Sequence, residues 1–351
     1  MSRNKPGSNA HLTLTRRQLL SGGLAAAATW PAARGAASGT KPAESTVYAQ
    51  IRWIDEREDP SLTIETDELV AKVIDNTGLR PRPGAWWMEQ NYSHHLGYHG
   101  IRALWNREER RNIVAPFFSW LSLQGLQVEH LELDPVDSRA RAGVGRGWPM
   151  TLKREDGGAL LQIPRRPVSG IEYDLRITPS GPDSLDFSVR FTLHKKGGSP
   201  AKLRASWPCY MSTFDEVALY YPVGDPKRPR WESFGQREPF VLGEPVNYVH
   251  SQQEFRPARA PAFPAVFGQI GSRVLAIMVS DPRVEFFLVN AGGHIAYLPV
   301  QNPAWDFSLT VPDYEPGRPV GFRGRILYKT WEGEKEITRR YHAWRREVDE
   351  S

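Results

Sequence analysis

Apolar and polar residues alternate with a period of two through much of the chain after residue 46. That is the pattern of strands that bury one face and wet the other. The clearest instance is a pair of segments. Ile171, Tyr173, Leu175 and Ile177 interleave with Glu172, Asp174 and Arg176, while Leu185, Phe187, Val189, Phe191 and Leu193 interleave with Asp186, Ser188, Arg190 and Thr192. Pro179-Ser180-Gly181-Pro182-Asp183 separates them, so a hairpin is predicted. Val47–Ile54, Leu69–Ile74, Val274–Val279, Val284–Val289, the Trp305/Phe307/Leu309/Val311 segment and Arg323–Lys329 read as further strands. Between Gly125 and Leu133 the apolar phase switches, with Leu126 and Val128 before the break and Leu131 and Leu133 after it. A β-bulge is expected there, at Glu129-His130. A short helix near 106–112 would be stopped by Pro116. Only Lys335–Val348 reads as firmly helical, with Ile337, Tyr341, Trp344 and Val348 on one side. Many strands, 29 prolines, 30 glycines and one closing helix predict an all-β fold, a large antiparallel β-sandwich with a C-terminal helix.

The first 37 residues stand apart from this pattern. Thr15-Arg16-Arg17-Gln18-Leu19-Leu20 leads into the short Ala-rich run Gly22–Ala28, and Gly35-Ala36-Ala37 offers small residues for cleavage. A twin arginine ahead of a mildly apolar stretch reads as a twin-arginine export signal over residues 1–37. The run is too short to cross a bilayer, which takes about 20 residues. Residues 38–46 read as a flexible leader and 47–351 as a single β-sandwich domain, with no transmembrane segment beyond the signal. The expected location is periplasmic or secreted.

Removing the signal changes the charge argument. It carries five basic residues (Arg3, Lys5, Arg16, Arg17, Arg34) and no acidic one, so the formal charge of +5 falls to zero. No overall positive field remains to neutralise phosphates, which argues against nucleic acid and against a membrane surface as partner. A single cysteine, Cys209, cannot form an internal disulfide. That suits cargo exported already folded.

The candidate chemistry concentrates between Trp86 and Gly100, where Trp86, Trp87, Tyr92, His94, His95, Tyr98 and His99 crowd into fifteen residues with Leu96 as the only branched aliphatic. Imidazoles and phenols beside glycines suit a polar, aromatic-walled site. A histidine there could act as general acid or base, because imidazole titrates near neutral pH, at about 6.5 unperturbed. Further candidates are Glu129 and His130 at the expected bulge, His250 with Glu254, and the pair Trp305-Asp306. Indole faces at Trp86, Trp87, Trp105 and Trp305 could stack on a pyranose while carboxylates and imidazoles bind its hydroxyls. The expected ligand is therefore carbohydrate. No cofactor is expected. A divalent metal remains the alternative, because His95 and His99 share a face on a strand or a helix; Glu129, His130 and Glu132 would have to complete the site.

The run Tyr98-His99-Gly100-Ile101-Arg102-Ala103-Leu104, the segment Trp305-Asp306-Phe307 and the strand Gly321-Phe322-Arg323-Gly324-Arg325-Ile326-Leu327-Tyr328 resemble the galactose-mutarotase-like supersandwich. The likeness spans residues 47–330 in strand pattern and short pieces in residue detail. That superfamily contains aldose epimerases and domains of polysaccharide lyases and glycoside hydrolases. The resemblance implies a histidine acid, His99 or His95, and a carboxylate base, Glu254, Glu285 or Asp306. A lyase would instead use Tyr98 or His99 as base and Arg102 to neutralise a uronate carboxylate. A catalytically silent carbohydrate-binding protein would carry the same aromatic walls without a poised acid–base pair.

Overall fold

Strand pairing follows the alternation in the computed structural model. It describes residues 61–75, 99–114, 119–123, 125–128, 149–168, 170–194, 201–211, 217–236, 253–290 and 304–351, all within one compact unit, Val47–Ser351. The export signal, the leader, the Val47–Ile54 strand and the expected bulge at Glu129-His130 lie outside the described residues.

Along the chain the strands are β1 (Leu62–Glu65), β2 (Leu69–Ile74), β3 (Gly100–Asn106), β4 (Gly125–Val128), β5 (Thr151–Glu155) and β6 (Gly158–Ile163). Then come β7 (Ile171–Gly181), β8 (Ser184–Leu193), β9 (Ala201–Trp207), β10 (Val217–Val223), β11 (Arg230–Gln236) and β12 (Gln253–Phe255). The last are β13 (Ala265–Ile270), β14 (Arg273–Val279), β15 (Val284–Asn290), β16 (Ala304–Tyr314) and β17 (Val320–Thr330), followed by the helix α1 (Glu334–Asp349). They form a nine-stranded sheet in the order β11-β10-β13-β14-β17-β8-β7-β6-β5, a five-stranded sheet β12-β15-β16-β9-β4, and a three-stranded sheet β1-β2-β3. The fold is the expected all-β sandwich with one C-terminal helix.

The predicted hairpin is β7–β8, with Leu175 opposite Val189 and Ile177 opposite Phe187. Its inward residues join a core shared by all three sheets, while Glu172, Asp174 and Arg176 face out. Aromatic rings bridge the layers: Phe187 of β8 lies 6.5 Å from Phe307 of β16, and Trp207 of β9 lies 5.4 Å from Phe322 of β17. Each large apolar side chain buried in this way contributes about 1.5–3 kcal/mol.

The run Arg273–Val279 loses its alternation because β14 is covered on both faces. Leu275, Ile277 and Val279 enter the main core, whereas Val274, Ala276 and Met278 pack under α1. The helix turns Ile337, Tyr341 and Trp344 onto that second core, with Tyr341 stacked on Phe263 at 4.2 Å. Among the described residues, no helix is long and apolar enough to cross a membrane.

Residues 106–112 do not form a helix. Arg107–Glu109 make a turn, closed by the Arg110 amide on Asn106 O (2.9 Å) and by the Glu108 amide on Asn106 Oδ1 (2.9 Å). Arg110 sits at φ 53°, which ends any right-handed turn. Glu108 and Glu109 are drawn instead onto Arg273, at 2.6 and 2.8 Å.

Candidate functional site

The outward face of the five-stranded sheet collects the acidic candidates. On β15, Val284, Phe286 and Leu288 point into the core, so Glu285 and Phe287 point out. On β16, Trp305, Phe307 and Leu309 point in, so Asp306 and Ser308 point out. Phe255 of β12 packs inward, which turns Glu254 and the following Arg256 outward. Register brings these residues together. Phe287 stands opposite Asp306, Glu285 opposite Ser308, and Glu254 opposite Val289.

Arg256 organises this face. Its Nε donates to Glu254 at 2.7 Å, its Nη1 donates to Glu285 at 3.1 Å, and its guanidinium lies 4.8 Å from the centroid of the Phe287 ring. A guanidinium over an aromatic face gains a cation–π attraction on top of its ion pairs. Asp306 Oδ1 accepts the Cys209 amide at 3.2 Å. Ser308 is buried, and its hydroxyl has no hydrogen-bond partner among the described residues. The face therefore offers carboxylate acceptors and a guanidinium donor within three neighbouring strands, whereas the Phe287 ring beneath the guanidinium is 1% exposed and buried. Such groups can hold the hydroxyls of a sugar, and one of the carboxylates could take a proton from it.

His99 lies elsewhere. It is fully buried, its Nε2 accepts the Leu123 amide at 3.0 Å, its own amide donates to Ser122 Oγ at 3.3 Å, and its ring meets Tyr173 edge-on at 6.3 Å. A nitrogen that accepts an amide hydrogen carries no proton, so this is a neutral imidazole pinning the segment Ser119–Leu123. The other side of that segment reaches Cys209. Burial pushes the Cys209 thiol well up; the Leu121 amide opposes this, and the charge of Asp306 adds to it. Leu121 itself holds φ 64° while fully buried, a costly backbone conformation for a side chain of its size. His99 and Asp306 thus flank one strained segment.

Trp305 was expected to wall a ligand and does not. It is 1% exposed, and its indole fills the space over Gly268, where an added Cβ would come within 2.4 Å of Cζ2. A ring enclosed in the core has no face to stack on a sugar. Arg102 and Trp105 are half-buried on β3, away from the acidic face by sheet. Arg102 is the extra residue of a bulge between Lys72–Ala103 and Val73–Ile101. Trp86, Trp87, His94, His95, Tyr98, Glu129, His130, Glu132 and His250 lie outside the described residues. Among the described residues, no three of His, Cys, Asp and Glu gather as metal ligands.

Arg256 was missed by sequence reading. Phe286-Phe287 interrupts the alternation of β15 and sends one ring to each side of the sheet, where both are buried. A cleft of about 380 Å3 opens on the other large sheet, lined by Arg176, Ser188, Arg323 and Glu347 among others, and no sequence-predicted residue borders it.

No family model matches this chain, and neither does any curated protein sequence. Solved structures give a loose likeness of fold. A candidate aldose 1-epimerase from Escherichia coli K12 superposes with a TM-score of 0.48 at 9% identity, covering 77% of this chain and 99% of that one. A galactose mutarotase-like protein from Lactobacillus casei ATCC 334 gives 0.42 at 10% identity, covering 76% and 99%. Galactose 1-epimerase from Lactobacillus acidophilus NCFM gives 0.41 at 11%, covering 77% and 94%.

Proposed function

We propose that this chain is an exported carbohydrate-active protein whose ligand lies against the outward face of the five-stranded sheet. One observation carries the reading: Glu254, Glu285 and Asp306, far apart in sequence, share that face with the Arg256 guanidinium. In this reading Asp306 is the acid–base carboxylate, and the imidazole partner comes from His94 or His95. The reaction is of the epimerase, lyase or hydrolase type. Export follows from the twin arginine at Arg16-Arg17.

A second reading has its own support. Arg256 already engages both Glu254 and Glu285, which suits a face that binds glycan without turning it over.

The test is a broad glycan panel against residues 38–351, scored for binding and for turnover. Asp306→Asn keeps an oxygen for the Cys209 amide, so its fold survives; it should abolish turnover under the first reading and weaken binding only modestly under the second. Arg256→Ala removes the guanidinium donor and should weaken binding under both. A panel in which no glycan binds or reacts ends both readings. Fusing residues 1–46 to a reporter tests export, which Arg16→Lys/Arg17→Lys should block.

A further inference from the structure

Helix α1 spends its apolar side on the sheet, and its opposite side carries Lys335, Arg339, His342 and Arg346. These positions recur every three or four residues, so they form one stripe about 16 Å long. The β10–β11 hairpin brings more charge to it. His342 Nε2 donates to the carbonyl of Pro226 at 2.8 Å, and Trp231 Nε1 donates to Thr338 Oγ1 at 3.4 Å. The hairpin turn thereby sits beside the helix and places the exposed Lys227 and Arg228 at its flank.

Little on this surface cancels that charge. Lys227, Arg228, Lys335 and Arg346 have no acidic partner among the described residues, while Arg230 and Arg259 share the single carboxylate of Glu232 at 3.5 Å each. Arg339 shares the Glu336 carboxylate, at 2.7 Å, with Lys329 and Arg340, each at 3.4 Å. Asp225, Glu334, Asp349 and Glu350 border the stripe, and Asp349 is paired with Arg345 at 2.8 Å. A chain whose formal charge without the signal is zero therefore concentrates cations on one ridge.

We infer that this ridge is a docking track for an acidic polysaccharide, one bearing uronate carboxylates. A membrane surface is disfavoured because Ile337, Tyr341 and Trp344 are all buried against the sheet, leaving no apolar side chain to enter a headgroup layer. Single-stranded nucleic acid is disfavoured because the stripe carries no exposed aromatic platform for bases. The choice of a glycan among polyanions rests on the proposed carbohydrate reading. The ridge is separate from the Asp306 face, so it holds a polymer without taking part in chemistry. Contacts of this kind release counterions and weaken steeply with salt.

The experiment measures binding of residues 38–351 to polygalacturonate by calorimetry at 50 and 200 mM NaCl. Neutral dextran, phosphatidylglycerol vesicles and single-stranded DNA serve as the other arms. Polygalacturonate should bind, and its affinity should fall at least about tenfold across that salt range. Lys227→Glu/Arg228→Glu and, separately, Lys335→Glu/Arg346→Glu should each lower affinity about tenfold with unchanged melting temperatures. Lys153→Glu on the distant edge strand β5 should leave it intact. Charge reversals that leave polygalacturonate binding unaltered would overturn the inference, as would tighter binding of vesicles or DNA at equal salt. Asp306→Asn should not move this measurement, so loss of the proposed sugar site and loss of the ridge are read independently.

Discussion

The Leu123 amide donates to Nε2 of His99 at 3.0 Å, inside a core that leaves the ring no exposed surface. Replacing His99 with phenylalanine keeps ring volume but removes the acceptor, and an orphaned buried amide costs about 1–3 kcal/mol. Urea denaturation of His99→Phe should show a loss of that size, with faster hydrogen exchange at Leu123. If stability is kept while glycan turnover is lost, His99 belongs to the chemistry after all.

Gly268 and Trp305 test the core in the opposite direction. An alanine Cβ at residue 268 would press within 2.4 Å of the indole. Overpacking of this sort costs about 1–3 kcal/mol. Gly268→Ala should lower the denaturation midpoint by that amount and alter the near-ultraviolet dichroism of the tryptophans.

Arg273 binds two carboxylates in unequal surroundings. Its own side chain is 6% exposed, Glu109 is 36% exposed and Glu108 is 83% exposed. Water screens the outer pair more strongly. Double-mutant cycles should therefore give a coupling of about 1–2 kcal/mol for Arg273 with Glu109, and below about 0.5 kcal/mol for Arg273 with Glu108. Equal couplings would contradict the screening argument.

Cys209 should be inert in the native protein. Burial pushes its thiol up, against the Leu121 amide and with help from Asp306, so little thiolate forms. Ellman's reagent at pH 8 should find no reactive thiol until denaturant is added, and then one per chain.

Acid should weaken the helix dock. A hydrogen bond from Arg339 holds the Glu336 carboxyl below its usual range; burial opposes this and Lys329 reinforces it. At Asp281 burial would raise the pKa, but the Arg283 side chain and amide outweigh it and lower it. The unfolded chain thus takes up these protons first as pH falls. The stability they supply is present at neutral pH and drains away below about pH 4, through their lowered folded pKa values. Denaturation midpoints from pH 7 to pH 3 should trace this fall. The deficit of Glu336→Gln against the parent should shrink over the same interval.

Much of the architecture was legible because strand and helix periods are local. The β7–β8 hairpin, the β16 phase Trp305/Phe307/Leu309 and the inward side of α1 are set by residues two, three or four apart. That same periodicity warned against the Trp305-Asp306 pair, since successive strand residues point to opposite faces and only one of the two could meet a ligand. At residues 106–112 local propensity misled, because the turn answers to Arg273, more than 160 residues away.

From the residues alone came which way each side chain leaves its strand, and hence the sandwich and its helix. Tertiary structure alone decided which outward side chains share a face: the order β12-β15-β16 puts Glu254, Glu285 and Asp306 on one side of one sheet, and the fold of 119–123 over β3 draws His99 into the core. The reason is that alternation acts between near neighbours along the chain, whereas register and sheet order are settled by packing between segments far apart in it.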